Sequence, residues 1–387
     1  MTACMTACMS ACMTAGIGPS ADAAARTAPT APRAALRALL AVLALALAGC
    51  AATDTVRGRL HYGMDDAPEG RALVWPAAPE VPRFLYAGTL TGQPNFEAED
   101  AGRGAMERIG RWVAGLDDTG AVPLVLHRPA ALAGDESGRL YVADVSRQAV
   151  FVFDEKAGEL HLWQQADAWR RFESPAGVVP GPGRVFVSDA DLGAVFVLGR
   201  DGVPLATLGA GRLQRPTGLA RDAASGRLYV ADTQAHDVKV FDDAGTLVAT
   251  FGRRGVQGGE FNFPTHLAIA AGELYVTDTL NHRVQVLRLS DGGFVRQIGT
   301  RGLGLGQLVR PKGVSVDGDG NVYVIESYHD TLLVFSPRGE FLLPVGGTGR
   351  ATGRFYLPSG VWVDARNRVH VADMFNGRVV LFQFLGE

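Results

Sequence analysis

Only four cysteines occur among 387 residues, and none lies beyond position 50. A chain cut near that point keeps no pair able to close a disulfide, and no Cys-x-x-Cys-His is present to hold haem covalently. Lysine is equally scarce: it supplies three of the 37 basic residues, and no Lys/Arg run interleaves with aromatics. The formal net charge is −3, and loss of the first 49 residues, which carry three Arg and one Asp, takes it to about −5. A basic face is the footprint of a nucleic-acid binder, so nucleic acid is not expected as a partner. The one sustained apolar stretch, residues 38–47, is too short to span a bilayer comfortably as a helix. There is no nucleophile elbow, phosphate loop or His-Glu-x-x-His, and steps such as Gly304-Leu305-Gly306 read as turns.

What the chain does contain is a repeat. Pro129, Pro175, Pro216, Pro264, Pro311 and Pro358 are each followed, about 15 residues on, by a short apolar run ending in an acid. Those acids are Asp144, Asp189, Asp232, Asp278, Glu326 and Asp373, spaced 43 to 48 residues apart, a period that belongs to solenoids, propellers and related arrays. Within one unit, 216–252, four runs rich in Val, Leu, Tyr and Phe alternate with Gly/Asp turns, the pattern of a four-stranded antiparallel meander. No run is long enough for a helix. Apolar residues on both faces of most strands require cover on both sides, which radial stacking of like sheets supplies. The last repeat has only three strands, and residues 82–90 offer the fourth. The expected fold is therefore all-β: a six-bladed propeller of four-stranded antiparallel blades over 82–387, its last blade closed by an N-terminal strand, leaving no open edge.

The stretch Leu274-Tyr275-Val276-Thr277-Asp278-Thr279-Leu280-Asn281-His282-Arg283-Val284-Gln285-Val286 resembles the consensus of NHL repeats, as does Phe251-Gly252-Arg253-Arg254-Gly255 leading to Gly259-Glu260-Phe261. The similarity recurs six times over residues 129–386. Departures are Ala131 and His266 where glycine is expected, and Glu326 in place of Asp. Neither a repeated Trp-Asp step nor an Asp-box occurs at this spacing. The resemblance implies little about activity, because NHL-repeat proteins include binding scaffolds and a minority of enzymes.

Arg33 and Arg37 precede the apolar stretch, which ends in Leu47-Ala48-Gly49-Cys50. A basic region, a short apolar region and small residues before a cut describe a signal peptide over 1–49. The four residues ending at Cys50 resemble the bacterial lipobox, which implies lipidation of Cys50 and a lipid anchor in the membrane. Ala51 in place of Asp favours the outer membrane facing the periplasm in a Gram-negative host. Residues 50–81 read as the lipidated cysteine and a flexible tether. Within 97–120, Met106, Ile109, Val113 and Leu116 recur at helical spacing beside Trp112, predicting a short amphipathic insertion.

In a meander the turns alternate between the two ends of the blade. The turn after each acid and the connection into the next blade therefore open on one face, which gathers His127, His236, His266, His282, Tyr328 and His329 with Arg128, Arg215 and Arg310. His266 replaces a glycine on an innermost strand and should approach the axis, where a single metal ion would need about three ligands. His282 reads as a blade-to-blade hydrogen bonder. The acids are expected to accept backbone N–H groups, with the longer Glu326 projecting to the face as a ligand or acid. The chain is thus expected to bind an envelope protein partner or a small ligand through this face without a cofactor. The alternative is a metal-dependent propeller enzyme of lyase or lactonase type, built on His266.

Overall fold

The computed structural model describes residues 55–63, 72–97 and 123–386. Cys50, the leader and the expected amphipathic helix lie outside them. The described chain forms six antiparallel meanders in which sequential strands neighbour one another. The innermost strands are Pro129–Gly134, Pro175–Gly181, Pro216–Arg221, Pro264–Ala270, Pro311–Val316 and Val361–Val363. Each packs on the next around the ring, and the last packs on the first. We number the blades 1 to 6 in that order. Blade 6 takes Phe84–Leu90 as its fourth strand, paired antiparallel with Arg378–Phe384. The expected six-bladed propeller, closed by an N-terminal strand, is the observed fold.

The middle strands explain the repeat's apolar runs. Leu228–Asp232 and Ala149–Asp154 are buried at every position, because each sheet is covered on both faces by its neighbours. Six apolar clusters result, each lying between two adjacent blades. Where the innermost strands of blades 2, 3, 5 and 6 carry glycine, the packing leaves no room for a side chain. A Cβ on Gly177 would stand 2.2 Å from the Thr217 carbonyl oxygen of the next blade, and one on Gly218 2.5 Å from that of Thr265. Gly360 meets Ala130 at 2.9 Å across the seam between blades 6 and 1. The glycine two residues after the proline is thus demanded by the approach of neighbouring backbones.

The region expected to be tether differs from that reading. Thr55–Arg57 adds a fifth strand to blade 1 against Glu159–Trp163, and Val74–Trp75 adds one to blade 6 against Phe84–Leu90. Arg59–Leu60 pairs with Phe96–Glu97. Half-buried Val56 and Trp75 cover apolar outer edges, Trp75 meeting Phe382 edge-on at 5.2 Å. These segments lack periodicity because what orders them is the edge they cover.

Candidate functional site

The six acids are fully buried where the second strand of each blade ends. Asp189 shows their common work: one oxygen accepts the N–H groups of Glu173 and Ser174 at 2.7 and 3.0 Å, the other those of Asp191 and Leu192 at 3.1 and 3.0 Å. Every acid thus holds the entry of its own inner strand, and all but Asp232 also bind the following turn. Glu326 does the same and corrects the expectation that it projects outward. Its extra methylene folds back, so that one oxygen accepts from Val309 and Arg310 while the other meets the N–H and Nδ1 of His329, both at 2.8 Å.

Four residues beyond each acid the backbone is left-handed in all six blades, with φ from 53° to 63° at Gln148, Gly193, His236, His282, Asp330 and Gly377. Where a side chain is present it reaches the next blade. Gln148 donates to the Glu173 carbonyl, His236 Nδ1 accepts from Phe263 N–H at 3.2 Å, His282 Nδ1 meets the Val309 carbonyl at 2.5 Å, and Asp330 accepts from Leu357 N–H at 2.7 Å. His236 and His282 are thus joints between blades.

His266 enters the axial channel, a space of about 40 Å³ walled by glycine and apolar side chains. Its Nδ1 lies 3.1 Å from the Thr265 hydroxyl. Burial, then the nearby Lys312 cation, push its pKa down to about 3, against a smaller opposing effect of the Ala130 carbonyl. The ring lines the channel with part of its surface, and with its pKa pushed so far down it is neutral near pH 7. Among the described residues no group of three His, Cys, Asp or Glu side chains is placed to hold a metal. The two joint histidines are engaged at the blade seams, and the other side chains that line the channel beside His266 are apolar.

The same face carries an exposed apolar arc, of which the sequence pointed only to Tyr328. Two residues after the acid, blades 4, 5 and 6 place Leu280, Tyr328 and Phe375, exposed by 47, 57 and 40%. Phe263 and Tyr356, from the connections into blades 4 and 6, are exposed beside them. Tyr356 meets Phe375 edge-on at 5.9 Å, and the Arg128 guanidinium lies 4.8 Å over the Phe375 ring. Exposed Arg310 stands in the same arc between blades 4 and 5, whereas Arg215 is paired with Asp191 at 2.8 Å on blade 3. His127 is exposed, and His329 is half-buried against Glu326. Blades 1 to 3 carry Ser146, Asp191 and Gln234 at the position of Leu280. Aligning the repeats at that one position would have revealed the arc.

The NHL-repeat family model matches residues 213–241 and 261–287. Among curated proteins the chain is similar to Protein brain tumor of Drosophila melanogaster, 30% identical over 128 residues, which cover 32% of this chain and 12% of that protein. It is also similar to RING finger protein nhl-1 of Caenorhabditis elegans, 46% identical over 68 residues, 17% of this chain and 7% of the other. The chain spans about a tenth of the length of these relatives. Solved structures of like shape include a streptogramin B lyase, with a TM-score of 0.52 at 10% identity over 67% of this chain and 94% of that one. An auxiliary nutrient binding protein from Bacteroides ovatus gives a TM-score of 0.53 at 15% identity, over 66% and 69%. Likeness at such identity speaks of fold alone. The chain carries NHL repeats and is a six-bladed β-propeller.

Proposed function

We propose that this propeller is a lipid-anchored, extracytoplasmic binding scaffold that docks a polypeptide partner of an envelope complex through the face bearing the acid turns. The observation that carries the reading is the arc of Leu280, Tyr328 and Phe375, flanked by Phe263, Tyr356, Arg128 and Arg310. Aromatic and arginine side chains are enriched at protein interfaces, and contiguous exposed aromatics mark such surfaces. The arginines favour a partner segment that offers carboxylates beside its apolar contacts. The motif ending at Cys50 supports the anchor. The metal-dependent enzyme reading gains no support from the surroundings of His266.

A photo-crosslinking residue placed at position 328, and in a parallel chain at exposed Leu205 on the outer strand of blade 2, tests the docking face in the native envelope. A protein captured from 328 but not from 205, and lost when Phe375→Ala is added, supports the reading. Equal capture from both positions would sink it. Replacing both Tyr328 and Phe375 by Ala should weaken the captured complex by roughly 2 kcal/mol or more, the scale of an interface hot spot. In the same cells Cys50→Ala should move the chain out of the membrane fraction, and retention there would refute the anchor.

A further inference from the structure

The opposite face breaks the repeat at one pair of residues. On the inner and second strands, Ala133 faces Tyr141, Val179 faces Phe186, Ala220 faces Tyr229, Ala268 faces Tyr275 and Ser315 faces Tyr323. Five blades thus pair a small or β-branched side chain with an aromatic ring. Blade 6 pairs Trp362 with His370. In blades 1 and 5 the tyrosine hydroxyl donates to the aspartate of the adjoining turn, Asp135 or Asp317, at 3.1 and 3.0 Å. The shorter His370 makes only a long contact there, with Nε2 3.5 Å from the Asp364 carboxylate, while Nδ1 has no hydrogen-bond partner among the described residues. The residue is 2% exposed, so Nδ1 sits buried without a partner. Such atoms cost stability unless something meets them.

Beside His370 lies a cavity of about 390 Å³ between blades 6 and 1, which that residue lines. That volume falls within the range of small-molecule sites. Trp362 and Phe153 give it aromatic walls, Leu60 and Leu90 an apolar floor, and Tyr62 a hydroxyl. Four basic and four acidic side chains also line it, so opposite charges balance. The deepest of these charges are already engaged: Arg368 with Asp364 at 2.7 Å, Arg139 with Asp154 at 2.6 Å, and Asp135 with Arg200 at 2.6 Å. A charged ligand therefore finds no excess of the opposite charge, whereas a neutral one with many hydroxyls finds donors and acceptors of both kinds beside an aromatic wall. Local departures from a repeat's own rule are expected at functional sites.

We infer that the cavity between blades 6 and 1 is a binding site for a neutral saccharide, with Trp362 as a wall for the sugar ring and the Tyr62 hydroxyl and the charged lining side chains as partners of its hydroxyls. The site lies on the face opposite the aromatic arc and stands independently of the docking proposal.

Calorimetric titration of the full chain with maltose, cellobiose and N,N′-diacetylchitobiose, with citrate and inorganic phosphate as anionic comparisons, tests it. The decisive variant restores the repeat: Trp362→Ser with His370→Tyr reproduces the Ser315–Tyr323 pair of blade 5, so its thermal melting should be retained. The expected result is saturable binding of a sugar with a Kd of about 1 mM or tighter, weakened at least about tenfold in the restored-repeat variant. Tyr328→Ala with Phe375→Ala should leave sugar binding as it is. Absence of binding by all three sugars, binding unchanged in the restored-repeat variant, or binding of citrate or phosphate alone would each overturn the inference.

Discussion

Asp278 and Asp373 each hold a buried arginine, Arg283 at 2.9 Å and Arg378 at 2.8 Å, and each also takes an amide from Asn281 or Asn376. Asp189, at the same repeat position, meets only backbone N–H groups. One residue type therefore serves two local designs, chosen by whether Arg stands five positions later. The acids' clamping role was legible in the sequence, because a short carboxylate at a strand end has backbone donors within reach. Glu326 departs from the outward reach expected of its length because the His329 N–H supplies a donor that draws the carboxylate inward. At this scale His266 makes a pH prediction. The unfolded imidazole titrates near 6.5, while in the folded chain burial and Lys312 push it down to about 3. Between those values the unfolded state binds a proton that the folded state refuses, so stability rises with pH across that window and falls as the solution is acidified below about 6.5. The slope is at most about 1.4 kcal/mol per pH unit. Buried His370 is shifted in the same direction. Melting curves at about pH 7 and about pH 5.5, above the range of most carboxylates, should show His266→Gln losing roughly 1 kcal/mol less than the parent chain. Equal losses would show that the ring is charged in the folded state.

Strands and turns divide by what orders them. The meanders were readable because each blade's residues specify it locally: apolar runs at strand spacing, punctuated by Gly and Asp. Thr55–Arg57 and Val74–Trp75 were not, since they are strands only against the edges they cover. The Trp362–His370 pair lay in plain view, but its meaning depended on knowing which residue faces which across two strands. The innermost strand yields a prediction of its own. A Cβ on Gly218 would stand 2.5 Å from the Thr265 carbonyl oxygen and 2.6 Å from the Cα of His266, both backbone atoms of the next blade. Backbone cannot swing aside as a long side chain can, so Gly218→Ala must push blades 3 and 4 apart. Overpacking of this kind costs about 1–3 kcal/mol, and chemical denaturation should show a loss in that range. Gly183→Ala makes a fair comparison, because a Cβ there meets nothing within 4 Å and only its left-handed φ of 69° opposes the change. A smaller loss at 218 than at 183 would mean that the inner strands have slack.

Closure joins these elements into one object. No blade buries its faces alone, and the seam between blades 6 and 1 holds only if Phe84–Leu90 stays paired with Arg378–Phe384. The fully buried Phe84 ties that strand into the cluster shared by blades 5 and 6, and Leu90 ties its other end into the cluster shared with blade 1. The strand's chain direction is incidental to this work, because it is antiparallel to its partner and its first residues lie beside the partner's end. Leu385 N–H donates to the Arg83 carbonyl at 2.8 Å, and the Arg83 guanidinium meets the Gly386 carbonyl at 3.1 Å. A hairpin turn of about four residues, within the usual range for adjacent antiparallel strands, would therefore join Gly386 to Arg83 without moving either strand. A permuted chain that begins at residue 123 and carries 83–97 after that turn should close the same ring. It should melt cooperatively, at a lower temperature than the parent because the outer strands of 55–60 and 74–75 are missing. The same chain without 83–97 leaves the apolar edge of Arg378–Phe384 unpaired, and such edges recruit other chains. It should associate into larger species in sedimentation at concentrations where the permuted chain stays monomeric. Equal melting and sedimentation of the two chains would show that blade 6 holds the ring with three strands, and that the N-terminal strand is cover rather than closure.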